Sequence, residues 1–565
     1  MFARVLSAGL LSINAYRIEV EVDCSGGIGQ IQIVGLPDAA VREAQERVRA
    51  AIKTCGFLMP TAKKWVVNLA PADTRKEGPA YDVPIAIGII ASSGLLPTEN
   101  LSQIYLIGEL SLDGSLRPVP GVLPMALHCK SEGATGIIVP EQNAAEAQLV
   151  EGLKVYAVSH LKEVCMIIKN PQQGFYLNNQ ARQDFAKQQR RYSNELDFSE
   201  VKGQHSVKRA LEIAAAGKHN ILLVGPPGSG KSMLAQRLPS IMPPLSFDEA
   251  LELTKLYSIA GIKISNSLLL ERPFRSPHHS ATAKGLVGGG SYPKPGEISL
   301  SHMGILFLDE LAEFPRYHLD LLRQPLESAV ITISRAQHAL TYPASFLLIG
   351  ACNPCPCGYL NDPVRHCICS PYQASRYWSR LSGPFLDRLD LHIDVPRLKE
   401  NDFAMDHDSI SSRSSTGRQN SNDNMQDVNN KNESEDSPTI RLRVERAIRC
   451  QQERLFDQAE QVVPGEQTGS SDQSHNKQAF VYNGNLNHKQ IKKFCRIDQK
   501  SHELLVRAIC QFGLSARSYD RILRVARTIA DLEPTKNIAY AHVAEALKYR
   551  LRTQSNEKKW QNSII

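Results

Sequence analysis

A chain of 565 residues, 42% of them hydrophobic, is too long for one core and apolar enough for two or three, at about 100–200 residues per domain. Its 12 cysteines are too sparse for the disulfide framework of a small secreted scaffold and point to a reducing compartment. A net charge of +7, from 65 basic and 58 acidic residues, permits a polyanionic partner without requiring one.

The N-terminus, MFARVLSAGLLSINAYRIEVEV, passes from a short apolar run into alternating strand sequence without a small-residue cleavage site. No export is expected, and the chain reads as cytoplasmic. Residues 1–170 alternate strand-like runs (YRIEVEVDC, IQIVGL, KWVVNLAP, IYLIGELSLDG, TGIIVP) with helical ones (DAAVREAQERVRAAIKTCGF, PGVLPMALHCKSEG), an α+β pattern. The run DVPIAIGIIASSGLLP, broken by Pro84, Ser92, Ser93 and Gly94, is too short to span a bilayer and is expected as a core helix, so no membrane association is implied. Residues 171–196 are Gln/Asn/Arg-rich without a sustained apolar face and read as a linker. Residues 197–398 carry phosphate chemistry, and 399–438, rich in Ser, Asn and Asp, are expected to be disordered. Residues 439–552 show helical periodicity, interrupted by a polar insertion at 464–479, and 553–565 form a tail. The fold class is α/β and multidomain.

ILLVGPPGSGKSMLAQRL joins an apolar strand to a helix through a GxxxxGK[ST] loop: Gly225, Pro226, Pro227, Gly228, Ser229, Gly230, Lys231 and Ser232. Such a loop turns backbone N–H groups toward phosphate oxygens, with Lys231 near the terminal phosphates and Ser232 able to ligate magnesium, which points to ATP. GILFLDELAEF reads as a buried strand delivering Asp309, for magnesium, and Glu310, to polarise an attacking water. The next strand, SFLLIGACN, ends in Asn353, placed to orient that water.

Five cysteines crowd the stretch ACNPCPCGYLNDPVRHCIC. Cys352 lies inside a strand and is expected as a small buried hydrophobe. Cys355, Cys357, Cys367 and Cys369 form two pairs around a nine-residue loop, an arrangement that suits structural zinc, with His366 as a substitute ligand. The one-residue spacer within each pair is tighter than usual for zinc. VITISRAQHALTYP reads as a β-hairpin with Arg335 at its tip. RSPHHSATAKGLVGGGSYPKPGEIS is a Gly/Pro-rich insertion carrying Arg275, His278, His279, Lys284 and Lys294. Read from residues alone, these segments are either solvated charged loops or contacts to a phosphate polymer. No third ligand is spaced to join His278 and His279 in a metal site.

With these motifs in this order the chain resembles the AAA+ ATPases, and among them the magnesium-chelatase-like branch that includes the bacterial ComM (YifB) proteins. The stretches VEVDCSGGIGQIQIVGLPDAAVREAQERVRAAI, PADTRKEGPAYDVPIAIGIIA, PFRSPHHSATAKGLVGGG, SGPFLDRLDLHIDVP and LSARSYDRILRVARTIADL carry the resemblance. It implies a Lon protease-like N-terminal domain, an AAA+ P-loop core and a C-terminal helical lid. It makes Asn353 sensor 1, Arg388 an arginine finger reaching a neighbouring subunit's nucleotide, and Arg517 the sensor 2 arginine. It further implies a homo-hexamer acting on single-stranded and branched DNA, in branch migration during natural transformation and recombination alongside other recombination or competence proteins. Lon proteases carry a nucleophilic Ser after GP and a Lys in the following helix; here Ala80 stands in the Ser position, with Leu123 and Met125 where the Lys would fall, so peptide hydrolysis by that chemistry is excluded. The N-terminal block is then a structural or DNA-guiding collar, and Lys284, Lys294 and Arg335 are DNA-contact candidates. A magnesium chelatase subunit is a second reading, weighed down by the Lon-like block. A protein-remodelling ATPase is a third, disfavoured by the Arg-tipped hairpin.

Overall fold

The computed structural model of the chain describes residues 2–27, 29–59, 63–76, 78–172, 174, 176, 181–191, 196–262, 264, 268–290, 294–334, 339–398, 435–459 and 481–561, with side chains left out at 39, 190–191, 456–459 and 551–561. Segment 399–434, most of the expected disorder, and segment 460–480, which holds the second polar insertion, lie outside the described residues, as does Arg335; residues 435–438, expected as disordered, are ordered instead, with Ser437 opening a helix and its N–H donating to Asp197.

The N-terminal block comprises β1 (Phe2–Leu11), β2 (Asn14–Gly26), β3 (Gln30–Val34), α1 (Ala39–Thr54), β4 (Lys63–Ala70), α2 (Asp82–Ser92), β5 (Ile104–Leu106), β6 (Glu109–Leu110), β7 (Leu116–Arg117), α3 (Val122–Ser131), β8 (Gly136–Pro140), α4 (Ala144–Ala147), β9 (Lys154–Val158) and α5 (Leu161–Lys169). Seven of the strands form one sheet in the order β3-β4-β2-β1-β5-β8-β9. The first apolar run, not singled out as a strand in the sequence, is β1, and it pairs with β2 from Phe2 opposite Asp23 to Leu11 opposite Asn14. Asp38 caps α1 by accepting from the Val41 N–H at 2.8 Å. Every residue of α2 is buried, as a core helix requires. Ala80, Leu123 and Met125 are buried apolar side chains of one hydrophobic cluster.

Within the expected linker, α6 (Ala181–Arg191) forms despite its polar composition. A single aromatic anchors it: Phe185 is buried and meets Phe247 edge-on at 5.8 Å, with the Arg182 guanidinium 4.6 Å from the Phe247 ring centre.

The central block runs through α7 (His205–Gly217), β10 (Ile221–Val224), α8 (Lys231–Ile241), α9 (Phe247–Ala260), β11 (Phe274–Arg275), α10 (Ala283–Val287), β12 (Gly288–Gly289), β13 (Lys294–Pro295), α11 (Glu297–Leu300), β14 (Ile305–Leu308), α12 (Arg316–Leu321), α13 (Arg323–Ser328), β15 (Val330–Ser334), β16 (Ala339–Pro343), β17 (Leu347–Cys352), α14 (Pro371–Trp378), α15 (Gly383–Leu386) and β18 (Leu391–Asp394). Its main sheet is parallel, in the order β11-β14-β17-β10-β18. The strand leading into the phosphate loop therefore has the Asn353 strand as its neighbour, and the Asp309–Glu310 strand comes next.

Among the described residues five C-terminal helices follow: α16 (Ser437–Ala459), α17 (His488–Phe494), α18 (Gln499–Phe512), α19 (Ala516–Leu532) and α20 (Tyr540–Gln561), the last continuing into the segment expected as a tail. One hydrophobic cluster joins these helices to the central block, with Val444, Ala447, Ala526 and Ile529 sharing it with Ala214 and Leu238. The N-terminal block docks on α9, where Ser258 Oγ donates to Glu146 and accepts from the Gly121 N–H at 2.9 Å. No helix among the described residues is long and apolar enough to cross a membrane.

Candidate active site

Four buried apolar residues make β10 a central strand, and the register of the sheet decides what stands beside it. Val224 lies opposite Cys352, and Leu308 opposite Gly350. Gly225 and Asn353 therefore leave the sheet side by side, and Asp309, level with Ala351, leaves the next strand two residues earlier at the same C-terminal edge, where parallel sheets take their ligands. The Gly225 N–H donates to the Cys352 carbonyl at 3.2 Å, tying the loop to the neighbouring strand. Gly228 and Gly230, at φ of 76° and 89°, adopt the left-handed conformations that turn the loop into α8.

Lys231 opens α8, and its Nζ donates to the carbonyls of Gly225 at 2.8 Å and Pro226 at 2.9 Å and to Asn353 Oδ1 at 3.3 Å. Burial lowers its pKa from the usual lysine value. Ser232 Oγ donates to Asp309 Oδ2 at 2.7 Å, so two hard oxygen ligands are already paired. Ser229 Oγ is buried with no hydrogen-bond partner among the described residues, a hydroxyl free for a phosphate oxygen. This donor set fits ATP with Mg2+: the loop would take the phosphates, and Ser232 with Asp309 would hold the ion.

Glu310 follows in a left-handed conformation, φ 50°, which is strained for a residue with a side chain. Its N–H donates to Asp309 Oδ1 at 2.9 Å, and its carboxylate, more than half exposed, lies 3.2 Å from His279 Nδ1. His279, considered in the sequence only as part of a cationic insertion, is thus the partner of the candidate base. No local pattern announces this contact, because it depends on how the insertion folds back over the sheet edge.

The arginines assemble elsewhere. Arg388 follows α15, pairs with Glu327 through one Nη and donates to the Pro384 carbonyl at 2.5 Å through the other. Arg550 of α20 brackets it, binding the Leu389 carbonyl and Asp387 Oδ1, the latter at 3.3 Å. Arg517 is exposed in the first turn of α19. Arg388 and Arg517 line one cleft of about 480 Å3 together with Lys218, Arg521 and Arg524, and no residue of 225–232 lines it. In the cleft wall, Asp390 accepts from Arg521 at 3.3 Å and lies 3.4 Å from His219 Nδ1, while His219 Nε2 meets Thr528 Oγ1 at 2.7 Å. Burial opposes the Asp390 charge, but the His219 hydrogen bond and the Arg521 cation hold its pKa down at about 2.

The expected hairpin forms as β15 and β16, paired from Val330–Pro343 to Ser334–Ala339. It packs on the insertion, where the space a Cβ at Gly288 would fill is 2.9 Å from Ile333 Cδ1. Ser12, in the β1–β2 turn, donates to the Thr341 carbonyl at 2.6 Å, so the N-terminal block touches the hairpin. Lys284 and Lys294 are exposed on the insertion. Arg275 is not free for a polymer: it makes a two-pronged ion pair with Glu297, both contacts 2.7 Å. Cys352 is buried as expected, and the sulfurs of Cys355, Cys357, Cys367 and Cys369 lie within 4.8 Å of one another, a group that does not include His366.

Family models agree with this geometry. Residues 197–403 match the model described as magnesium chelatase, subunit ChlI; residues 434–550 match the model of its C-terminal part. Residues 20–143 match a model described as subunit ChlI of Mg-chelatase, so the N-terminal block does not by itself count against a chelatase reading. An uncharacterized protein YifB of Salmonella typhimurium is 40% identical over 548 residues, 97% of each chain. A competence protein ComM of Haemophilus influenzae is 40% identical over 563 residues, 98% of this chain and 99% of that one. Lon protease 2 of Bacillus subtilis is 27% identical over 171 residues, 27% of this chain and 30% of that one. The chain belongs to the ComM/YifB family of magnesium-chelatase-like AAA+ proteins.

Proposed function

We propose that the protein is an ATP-driven, ring-forming DNA motor that promotes branch migration of joint molecules during natural transformation and recombination. The observation that carries the reading is the separation of two half-sites. Gly225–Ser232, Asp309, Glu310 and Asn353 share one sheet edge, whereas Arg388 and Arg517 share a cleft that includes none of the phosphate loop. Two half-sites on one chain complete each other when copies are arranged head to tail in a closed ring, here taken as a hexamer. Arg388 and Arg517 of one copy then neutralise charge on the phosphoryl group held by the next.

In that arrangement Glu310 accepts a proton from the attacking water, Asn353 orients the water, and Lys231 binds the terminal phosphates. Ser232 and Asp309 would hold a magnesium ion, which would supply charge neutralisation at the phosphate oxygens. The Lon-like block serves as a collar rather than a protease. DNA is taken as the polymer because the similar Haemophilus influenzae protein is named a competence protein, with Lys284, Lys294 and Arg335 as its contacts. Cytoplasmic placement and other recombination or competence proteins as partners belong to the same reading.

The chelatase description of all three family models favours a second reading, an ATPase subunit serving metal insertion into a porphyrin. ATP turnover measured with forked DNA, with a porphyrin and its magnesium, and with an unfolded protein separates these readings and the remodelling alternative. Stimulation by forked DNA alone is expected; stimulation by porphyrin or unfolded protein without DNA would overturn the motor assignment.

A further inference from the structure

The loop from Tyr359 to Ser370 has no buried residue, and Val364 and Ile368 are 69% and 87% exposed. Burial of apolar surface therefore does not hold its shape. The thiols converge instead. Cys355 Sγ lies 3.3 Å from Cys357 Sγ and 3.7 Å from Cys367 Sγ, Cys357 and Cys367 are 3.5 Å apart, and the Cys357 N–H donates to Cys369 Sγ at 3.4 Å. A disulfide requires about 2.05 Å, shorter than any of these separations. Four sulfurs about 2.3 Å from a shared tetrahedral ion stand about 3.8 Å from one another, close to what is observed. Donors that are all sulfur favour zinc over magnesium or calcium, and four of them leave no open position for chemistry.

The same loop abuts the nucleotide site. Gly358 has φ 84°, and a Cβ there would lie 2.5 Å from Pro227 Cδ and 3.8 Å from Asn353 Cγ. Trp378 Nε1 donates to the Pro354 carbonyl at 3.0 Å, gripping the chain between Asn353 and Cys355. We propose that Cys355, Cys357, Cys367 and Cys369 bind one zinc ion as four thiolates, and that the knuckle so formed positions Pro227 and Asn353 at the phosphate loop. Binding releases the four thiol protons to solvent and changes no oxidation state. The positioning role rests on the ATPase reading; the metal site does not.

Elemental analysis of the full chain, purified without chelator, is expected to give about one zinc per chain. Cobalt exchanged into the site should show the absorption of a tetrahedral thiolate complex. Cys355→Ser/Cys367→Ser should lose the metal. Should that variant fail to fold, titrating the wild type with an organomercurial should release its zinc as the four thiols react. Gly358→Ala should keep its zinc yet lower kcat for ATP about 10-fold, because displaced catalytic groups lose rate steeply with distance. Absence of metal, iron in place of zinc, or full zinc retention in the double variant would overturn the site. Wild-type kcat in Gly358→Ala would overturn the positioning role. A wild-type chain that holds zinc but turns over no ATP would remove that role together with the ATPase reading and leave the metal site standing.

Discussion

Glu310→Gln keeps the volume of the side chain and its reach toward His279 while removing the charge that, in the proposed mechanism, takes a proton from water. The contacts that organise the phosphate loop run from Lys231 to Gly225, Pro226 and Asn353 and from Ser232 to Asp309, and none involves the Glu310 side chain. ATP affinity is therefore expected to stay within about threefold of the wild type, under 1 kcal/mol. A positioned general base contributes about 10²–10⁴-fold, or about 3–5 kcal/mol of barrier. The Glu310 side chain is 57% exposed, so bulk water can replace part of its work, and the loss should fall near the lower end, about 100-fold in kcat. Lys231→Ala should behave in the opposite way, losing ATP binding itself, because it deletes the buried ammonium that the loop carbonyls converge on. Phosphate release gives kcat, and a fluorescent ATP analogue gives Kd. Glu310→Gln turning over within about threefold of the wild type, or losing binding as Lys231→Ala does, would show that Glu310 is not the base.

Arg388→Ala should bind ATP and fail to hydrolyse it. Mixed in equal amounts with Glu310→Gln it should recover turnover, since about a quarter of the interfaces in a random ring unite an intact Glu310 with an intact Arg388; a strictly additive mixture would contradict action across the interface. His279→Ala should raise basal ATPase and shrink its stimulation by DNA, because it frees a carboxylate now 3.2 Å from the imidazole; lower basal turnover would make His279 an activating partner instead. The Asp390 carboxyl, shifted from 3.8 to about 2, contributes about 2 kcal/mol of stability. A depressed carboxylate stabilises the fold above its unfolded pKa, so the gap in unfolding midpoint between wild type and Asp390→Asn should be full above about pH 4 and shrink toward pH 2. A gap independent of pH would mean that Asp390 acts through shape alone.

The phosphate loop was legible because its chemistry is local: strand, glycines and helix are contiguous, and so are Phe307, Leu308, Asp309 and Glu310. Asn353 was legible one step further, as the end of the next apolar strand, and the β10–β17 register then brought it beside Gly225. The cysteine pairs were legible from spacing, while their convergence required the fold of the intervening loop. The His279–Glu310 contact and the sharing of one cleft by Arg388 and Arg517 were not legible, because each joins segments far apart in sequence. Arg275 read as a free cation because Glu297, its partner, stands at the far end of the same Gly/Pro-rich insertion, and only the fold of that insertion brings the two together. The α6 helix escaped notice because its contact with the core rests on Phe185 rather than on a periodic apolar face.

Whether ATP hydrolysis is converted into movement of DNA strands is best tested with a branched joint molecule carrying one labelled strand. Wild-type protein with ATP and magnesium should displace that strand, whereas Glu310→Gln should bind the joint and leave it intact. Joint molecules left unresolved by wild-type protein that is actively hydrolysing ATP, or resolved equally well by Glu310→Gln, would contradict the account.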